Sequence, residues 1–222
     1  LRGKILAARR PVEIDDIYRP FRPKRRTRAS MARDKGLQGL ADFILRCAET
    51  ESPQLEAEKY LNDEVPSVED ALQGARDIIA EQVADDPAMR QAARDLCRKF
   101  ALISSKARDP EKDSVYAMYY DYHEPVSRIP SHRILAINRG EQEEILKVGL
   151  ELDPEAILNR LNRSYARPGE AGVQIQLAVT DSWQRLLAPA IERDIRSELT
   201  ELAHEQAISV FSKNLRSLLL QA

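Results

Sequence analysis

The stretch of 32 residues at positions 189–220 constrains the fold more than any other part of the sequence. After Pro189 it contains neither glycine nor proline. Its apolar residues recur mostly three or four positions apart, which is typical of one face of a helix. At a rise of 1.5 Å per residue, the stretch predicts a single carboxy-terminal helix of about 48 Å. The expected stripe comprises Ile191, Ile195, Leu199, Leu202, Ala203, Val210 and Leu218.

The rest of the chain also favours helices. Charged residues make up 32% of the sequence and aromatic residues only 5%, and the abundant Ala, Leu, Glu, Arg and Gln are good helix formers. Ser67 with Asp70 forms a capping-box pattern, and Asp86-Pro87 marks another helix start. Residues 102–106 and 145–152 favour strands. The predicted fold is mostly α: a multi-helix domain with at most a few short strands.

Other helix limits are predicted from periodicity and from glycine and proline. Residues 34–49 carry apolar residues at helical spacing, and Pro130 is expected to open a helix that Gly140 ends as a C-cap. The pattern also leaves one segment open, because apolar residues alternate over 173–179, which by itself indicates a strand. Cys97 lies on the apolar stripe of a predicted helix, so it is interpreted as a core residue rather than a reactive thiol.

A cluster of four tyrosines stands out in a chain that is poor in aromatic residues. Exposed tyrosines can stack on nucleic-acid bases. Tyrosines three and four positions apart are more typically half-buried on one helix face, and that interpretation is favoured here. The cluster consists of Tyr116, Tyr119, Tyr120 and Tyr122.

Charge is distributed unevenly along the chain. Residues 1–35 contain twelve Lys/Arg and four Asp/Glu, whereas residues 49–88 contain twelve Asp/Glu and two Lys/Arg. A basic segment of this kind can bind phosphates by releasing counterions. It can equally pair with the acidic segment within the fold. Both alternatives follow from the sequence.

Three segments resemble the Tex family of bacterial transcription accessory proteins. They are DDIYRPFRPKRRTRASMARDKGLQGLA at 15–41, RIPSHRILAINRGEQEEILKV at 128–148, and DSWQRLLAPAIERDIRSELTELAHEQAISVFSKNLRSLLL at 181–220. They lie in the order in which the family has them and cover a little over a third of the chain. The resemblance makes residues 173–179 the start of a helix that leads to Trp183, so the helix is preferred there.

The resemblance implies the role of a cytoplasmic, nucleic-acid-binding protein that takes part in transcription. It predicts a fragment of the amino-terminal helical half, ahead of a nuclease-like domain, with helix-turn-helix-like elements. The expected divisions are 1–50 (helical region with the basic arm, residues 24–35), 51–188 (central helical domain) and 189–222 (connecting helix). The expected partners are nucleic acid, either RNA or DNA, through the parent protein, and transcription machinery, with no membrane and no small-molecule substrate.

The sequence offers no catalytic or metal-binding motif. It lacks a Walker loop, GxGxxG, HExxH and CxxC, and its three histidines, His123, His132 and His204, are far apart. No apolar run is long enough for a transmembrane helix. We therefore expect no enzyme activity, no cofactor and no metal, and two lone cysteines that stay reduced.

Two functions of different classes remain from the sequence. In the first, a basic arm contacts phosphates; in the second, the chain is purely a scaffold and protein-interaction module. The outcome depends on whether the arm faces the acidic residues 49–88 or open solvent. The predicted nucleic-acid-binding residues are Lys24, Arg25, Arg26, Arg28, Arg33, Lys35, Arg133 and Arg139.

Overall fold

The computed structural model describes residues 5–6, 11–21 and 26–220. These residues form two compact units. The first unit contains the described residues up to Ala93 together with Pro154–Pro189. The second contains Arg94–Asp153 together with the described residues from Ala190 onwards. Each unit is therefore assembled from two separate pieces of chain.

The described residues are mostly helical, with three short strands, which confirms the predicted fold class. The long carboxy-terminal helix is also present. In chain order the helices are α1 (Pro11–Tyr18), α2 (Arg28–Asp34), α3 (Gln38–Arg46), α4 (Pro53–Ala57), α5 (Val68–Asp85), α6 (Pro87–Phe100), α7 (Ser131–Gln142), α8 (Pro154–Tyr165), α9 (Gly169–Asp181) and α10 (Ala188–Leu219). The strands are β1 (Leu102–Ala107), β2 (Asp121–Pro125) and β3 (Leu146–Glu151), close to the predicted positions for β1 and β3.

Helix α5 is the centre of the first unit, where it packs against α2, α3, α4 and α9. Its apolar side chains are buried as predicted, including Ile78 and Ile79. The predicted cap is confirmed, because the Ser67 side chain accepts a hydrogen bond from the Asp70 backbone N–H at 3.1 Å. Gly74 lets the Leu37 side chain lie close against α5, since a Cβ at this position would meet Cδ1 of Leu37 at 2.3 Å.

The helix predicted over residues 34–49 is shorter than expected. Lys35, Gly36 and Leu37 separate α2 from α3, and Gly36 has a φ of +83°, which other residues rarely adopt. Leu37 is buried in this turn. Helix α2 begins at a capping box formed by Thr27 and Ser30. The helix within the predicted range is therefore α3 alone, and a three-residue turn separates it from α2.

The second unit contains an antiparallel sheet with the strand order β2-β1-β3. Ile103 of the central strand pairs with Glu124 on one side and Leu150 on the other. Helix α7 packs against β3 and runs to Gln142, so the prediction of Gly140 as a C-cap is wrong. Gly140 lies inside the helix, and its lack of a side chain leaves room for Leu146, since a Cβ there would meet Leu146 Cδ1 at 2.6 Å. The residue with positive φ after α7 is Glu144.

The tyrosine cluster is packed, as the favoured interpretation expected, but it is not on a helix face. Tyr116 and Tyr119 are buried around a single 3₁₀ turn, Ala117–Tyr119, and Tyr122 lies on β2. The rings of Tyr119 and Tyr122 meet edge to face with centroids 5.3 Å apart. The helix prediction failed here because the chain turns into the sheet directly after Tyr120.

Helices α9 and α10 are continuous through a π-helical segment, Ser182–Leu187. Residues 173–179 are helical, which confirms the choice made from the resemblance. Pro189 is inside this helix rather than at its start. A proline ring clashes with the carbonyl four residues before it, and the wider π turn directly before Pro189 gives room for that ring.

Within the second unit, α6 and α10 are joined by ion pairs one turn apart. Arg94 pairs with Asp194 at 3.2 Å, and Arg98 pairs with Glu198 at 2.8 Å. The predicted apolar stripe of α10 is buried at Ile191, Ile195 and Ala203, but Val210 and Leu218 are 57% and 68% exposed. The described part of the unit therefore covers only the first half of this helix.

Candidate nucleic-acid interface

The end of the basic arm that follows Thr27 is fixed to α5. Arg33 Nη1 donates to Glu81 Oε2 at 2.7 Å, and Arg33 Nε donates to the side chain of Gln38 at 3.0 Å. The Thr27 hydroxyl donates to the other oxygen of Glu81 at 3.0 Å. One predicted phosphate-binding cation is thus paired with a carboxylate of the acidic segment 49–88.

The remaining cations of the arm differ in their partners. The Lys35 ammonium donates to the backbone carbonyl of Glu64 at 2.9 Å, so its charge is oriented but not neutralised. Arg26 and Arg28 are exposed, and neither makes a hydrogen bond or an ion pair from its side chain to any residue that the structure describes. Lys24 and Arg25 lie outside the described residues.

A groove of about 350 Å³ borders the arm between α2 and the start of α5. Arg28 and Lys35 line it, but so do acidic residues, among them Asp70 and Asp77. Burial raises the pKa of Asp77, and the charges of Arg185 and Arg28 oppose that shift. The groove therefore has mixed charge, and its carboxylates would repel a phosphate that entered deeply.

Arg133 and Arg139, the other two predicted binding residues, belong to the second unit. Arg133 Nη1 donates to Glu124 Oε2 at 2.9 Å, and the guanidinium lies 5.8 Å from the ring centre of Tyr122. The bond to Glu124 raises the pKa of Arg133. Arg139 Nε donates to Glu143 Oε1 at 2.9 Å and lowers the pKa of that carboxyl. Both guanidinium groups therefore already have a carboxylate partner.

Three further arginines were not singled out from the sequence. Arg160 and Arg163 lie on α8, and Arg167 follows that helix. The sequence signal that could have found them is the run 156–169, which contains these three arginines and no Asp or Glu. These three arginines are fewer and more widely spaced than the cations of the basic arm, so the sequence drew less attention to them.

No other chemistry is evident in the described ranges 5–6, 11–21 and 26–220. They contain no group of three or more His, Cys, Asp and Glu side chains placed to bind a metal ion. No helix within them has the length and apolar character needed to cross a membrane. Cys97 is buried, and burial raises the pKa of its thiol to about 11, in keeping with a core residue.

A family model described as Tex central region-like matches residues 48–211. The chain belongs to this Tex family. The match confirms the resemblance found in the sequence, and it includes the α8 arginines while beginning after the basic arm.

Individual relatives extend the similarity to both ends of the chain. The uncharacterized protein YdcI of Bacillus subtilis is 42% identical over 228 residues, which cover 100% of this chain and 32% of YdcI. The transcriptional accessory protein Tex of Neisseria gonorrhoeae is 33% identical, over 100% of this chain and 30% of that protein. The human S1 RNA-binding domain-containing protein 1 is 30% identical, over 94% of this chain and 22% of that protein. The chain thus spans about a third or less of the length of these relatives.

Proposed function

We propose that this chain is a non-catalytic helical scaffold within a transcription accessory protein, and that its basic arm, residues 24–35, contacts nucleic acid. The observation that supports this most directly is the contrast within the arm. Arg26 and Arg28 are exposed and form no side-chain hydrogen bond or ion pair with a described residue, while Arg33 is anchored to Glu81. Arg28 interacts with Asp77 only through the longer-range attraction of their charges. An arm fixed at one end loses less conformational entropy on binding than a free one.

The names of two relatives favour nucleic acid as the ligand. One is called a transcriptional accessory protein and another an S1 RNA-binding domain-containing protein. Clustered arginines gain affinity for nucleic acid by displacing condensed counterions, and they need no base contacts for this. RNA is therefore the first ligand to test. A cytoplasmic location, and a helix-turn-helix-like role for α2 and α3, are part of the same proposal.

The test is fluorescence anisotropy of the 222-residue chain with labelled single- and double-stranded RNA and DNA at two salt concentrations. We expect micromolar binding that weakens steeply as salt increases, because phosphate contacts release counterions. The absence of binding at low salt would rule the proposal out. Binding that does not depend on salt would also contradict it.

A variant set assigns the binding to the arm. Replacing Arg25, Arg26 and Arg28 by alanine should lower the affinity on the order of tenfold and flatten the salt dependence. A matched control replaces Arg128, Lys147 and Arg216, three cations in the second unit, by alanine. If the control loses as much affinity as the arm variant, net charge rather than the arm is responsible.

A second candidate function, a protein-interaction scaffold, is favoured by α10. Ile208, Phe211, Leu215 and Leu218 are 66%, 66%, 44% and 68% exposed and follow the three-four spacing of a coiled-coil seam. A second copy of this chain offers the same seam, so we take it as the partner. Light scattering should then show a dimer that Leu215→Glu dissociates. A monomer at high concentration would exclude self-association.

A further inference from the structure

A cationic groove lies in the first unit, between α8 and α9. It has a volume of about 410 Å³ and is lined by the side-chain amides of Asn159, Asn162 and Gln176 and by Arg163 and Arg167. None of the described residues that line it carries a carboxylate. Its polar side chains are therefore amides and guanidinium groups, which offer N–H donors to an anion.

Two other grooves of similar size have a different lining. The groove beside the basic arm includes Asp70 and Asp77. A groove between α7 and α10 includes Glu141 and Glu192 together with its arginines. An anion that entered either groove would meet carboxylates as well as cations, whereas the α8–α9 groove presents only cations and neutral groups.

The charges at the α8–α9 groove are not neutralised internally. Arg167 donates from Nε to the carbonyl oxygen of Leu45 at 2.9 Å and from Nη1 to that of Ala166 at 2.8 Å, both neutral acceptors. Arg163 lines the groove, whereas Arg160 lies beside it, one turn earlier on α8. The exposed guanidinium groups of both bond to no residue within the described ranges. The nearby Glu170 does not line the groove and accepts a hydrogen bond from Ser52 at 2.7 Å.

The loop that closes the groove has a fixed shape. Gly169 has a φ of +69°, and a Cβ at Gly172 would meet the Arg167 carbonyl oxygen at 2.1 Å. Both positions therefore require glycine, which permits the close-packed turn that follows Arg167. With its two backbone acceptors, the Arg167 guanidinium is held in place before any ligand arrives, which reduces the entropy cost of binding.

We propose that the α8–α9 groove binds the sugar-phosphate backbone of single-stranded nucleic acid through Arg163, Arg167 and the amides that line it, and that the strand continues over Arg160 beside the groove. The proposal rests on the proposed function for the nature of the ligand but uses a different surface. Arginine with Asn and Gln is the set of side chains that commonly contacts phosphate and sugar oxygens. No aromatic side chain lines the groove for base stacking, so binding should not depend on base sequence.

The experiment measures anisotropy of labelled poly(U), poly(A) and mixed-sequence RNA and DNA with the 222-residue chain over a salt series. We expect the double variant Arg160→Ala/Arg163→Ala to lower the affinity about tenfold for every sequence. The slope of log K against log salt should become shallower by about 1.4, the value for two single-strand phosphate contacts. Arg163→Glu should lower the affinity further. Circular dichroism should show all variants folded, because neither side chain bonds to a described residue.

The matched control is Arg128→Ala/Lys147→Ala, which removes the same charge from the second unit. If the groove variants keep full affinity for RNA and the arm variant loses it, the groove is rejected as a binding site and the arm is retained. Loss only in the groove variants would support the groove and reject the arm. No binding by the unmodified chain would overturn both. If the unmodified chain bound poly-glutamate more tightly than RNA at equal salt, and the groove variants lost that binding, the groove would be assigned to an acidic protein. That result would overturn the nucleic-acid assignment.

Discussion

The basic arm and the α8–α9 groove differ in what lies opposite their arginines. The arm has more cations, but Arg33 is paired with Glu81 and the adjoining groove contains carboxylates. The α8–α9 groove has fewer cations, and no carboxylate is among the described residues that line it. The difference shows that the density of cations in a sequence is a poor guide to their availability for phosphate. The nearest carboxylate decides whether an arginine stabilises the fold or remains free to bind.

The strongest test of this distinction is an ion pair in which both side chains are buried. The side chains of Arg90 and Asp16 are only 3% and 4% exposed and lie 2.6 Å apart. Arg90→Ala would leave a buried carboxylate without this partner, so the free energy of unfolding should fall by about 3–5 kcal/mol. Urea denaturation followed by circular dichroism measures it. A loss below about 1 kcal/mol would show that Arg90 is not a structural arginine.

Arg33 tests the distinction within the arm itself. We expect Arg33→Ala to lower the free energy of unfolding by about 1–2 kcal/mol, because the Glu81 carboxylate loses a charged hydrogen-bond donor in a partly buried position. Its RNA affinity should change less than that of an Arg26→Ala/Arg28→Ala variant. Anisotropy and urea denaturation on the same samples separate the two effects. Full stability with greatly weakened binding would place Arg33 among the free arginines.

The smallest effect is expected at the exposed pair of Arg139 and Glu143. The hydrogen bond from Arg139 lowers the pKa of Glu143 below its usual value of 4.5. The pair therefore stabilises the fold fully at a pH above 4.5. This stabilisation is lost as the pH falls through the lowered pKa of Glu143. Arg139→Ala should move the pKa of Glu143 back up, which carboxyl NMR titration detects. RNA affinity should be almost unchanged. A large loss of affinity would mean that a paired arginine can still serve the ligand.

The sequence predicted those features that depend on neighbouring residues. The capped start of α5, its buried stripe, strands β1 and β3 and the long last helix all follow from local periodicity and capping. The family resemblance decided residues 173–179, where alternation alone indicated a strand. The divisions predicted at residues 50 and 188 stay predictions.

Other features depend on residues far apart in the chain and could not be predicted. Gly140 was expected to end α7, but it lies inside the helix, where Leu146 of β3 occupies the space that a Cβ would need. The pairing of Arg33 with Glu81, 48 residues away, gives no local signal. The α8–α9 groove requires two helices to be brought together, and only its lack of acidic residues was visible in the sequence.

The division of each unit into two pieces has a consequence for how the chain folds on the ribosome. Helix α5 is synthesised long before α9, the helix that completes its packing, and residues 94–153 of the other unit emerge between them. At 5–20 residues per second, those 60 residues take about 3–12 s to emerge. During that time the apolar face of α5 lacks α9, one of the helices that pack against it in the folded protein. Newly made chains should therefore bind chaperones between these two points of translation, and a truncation before α9 should aggregate.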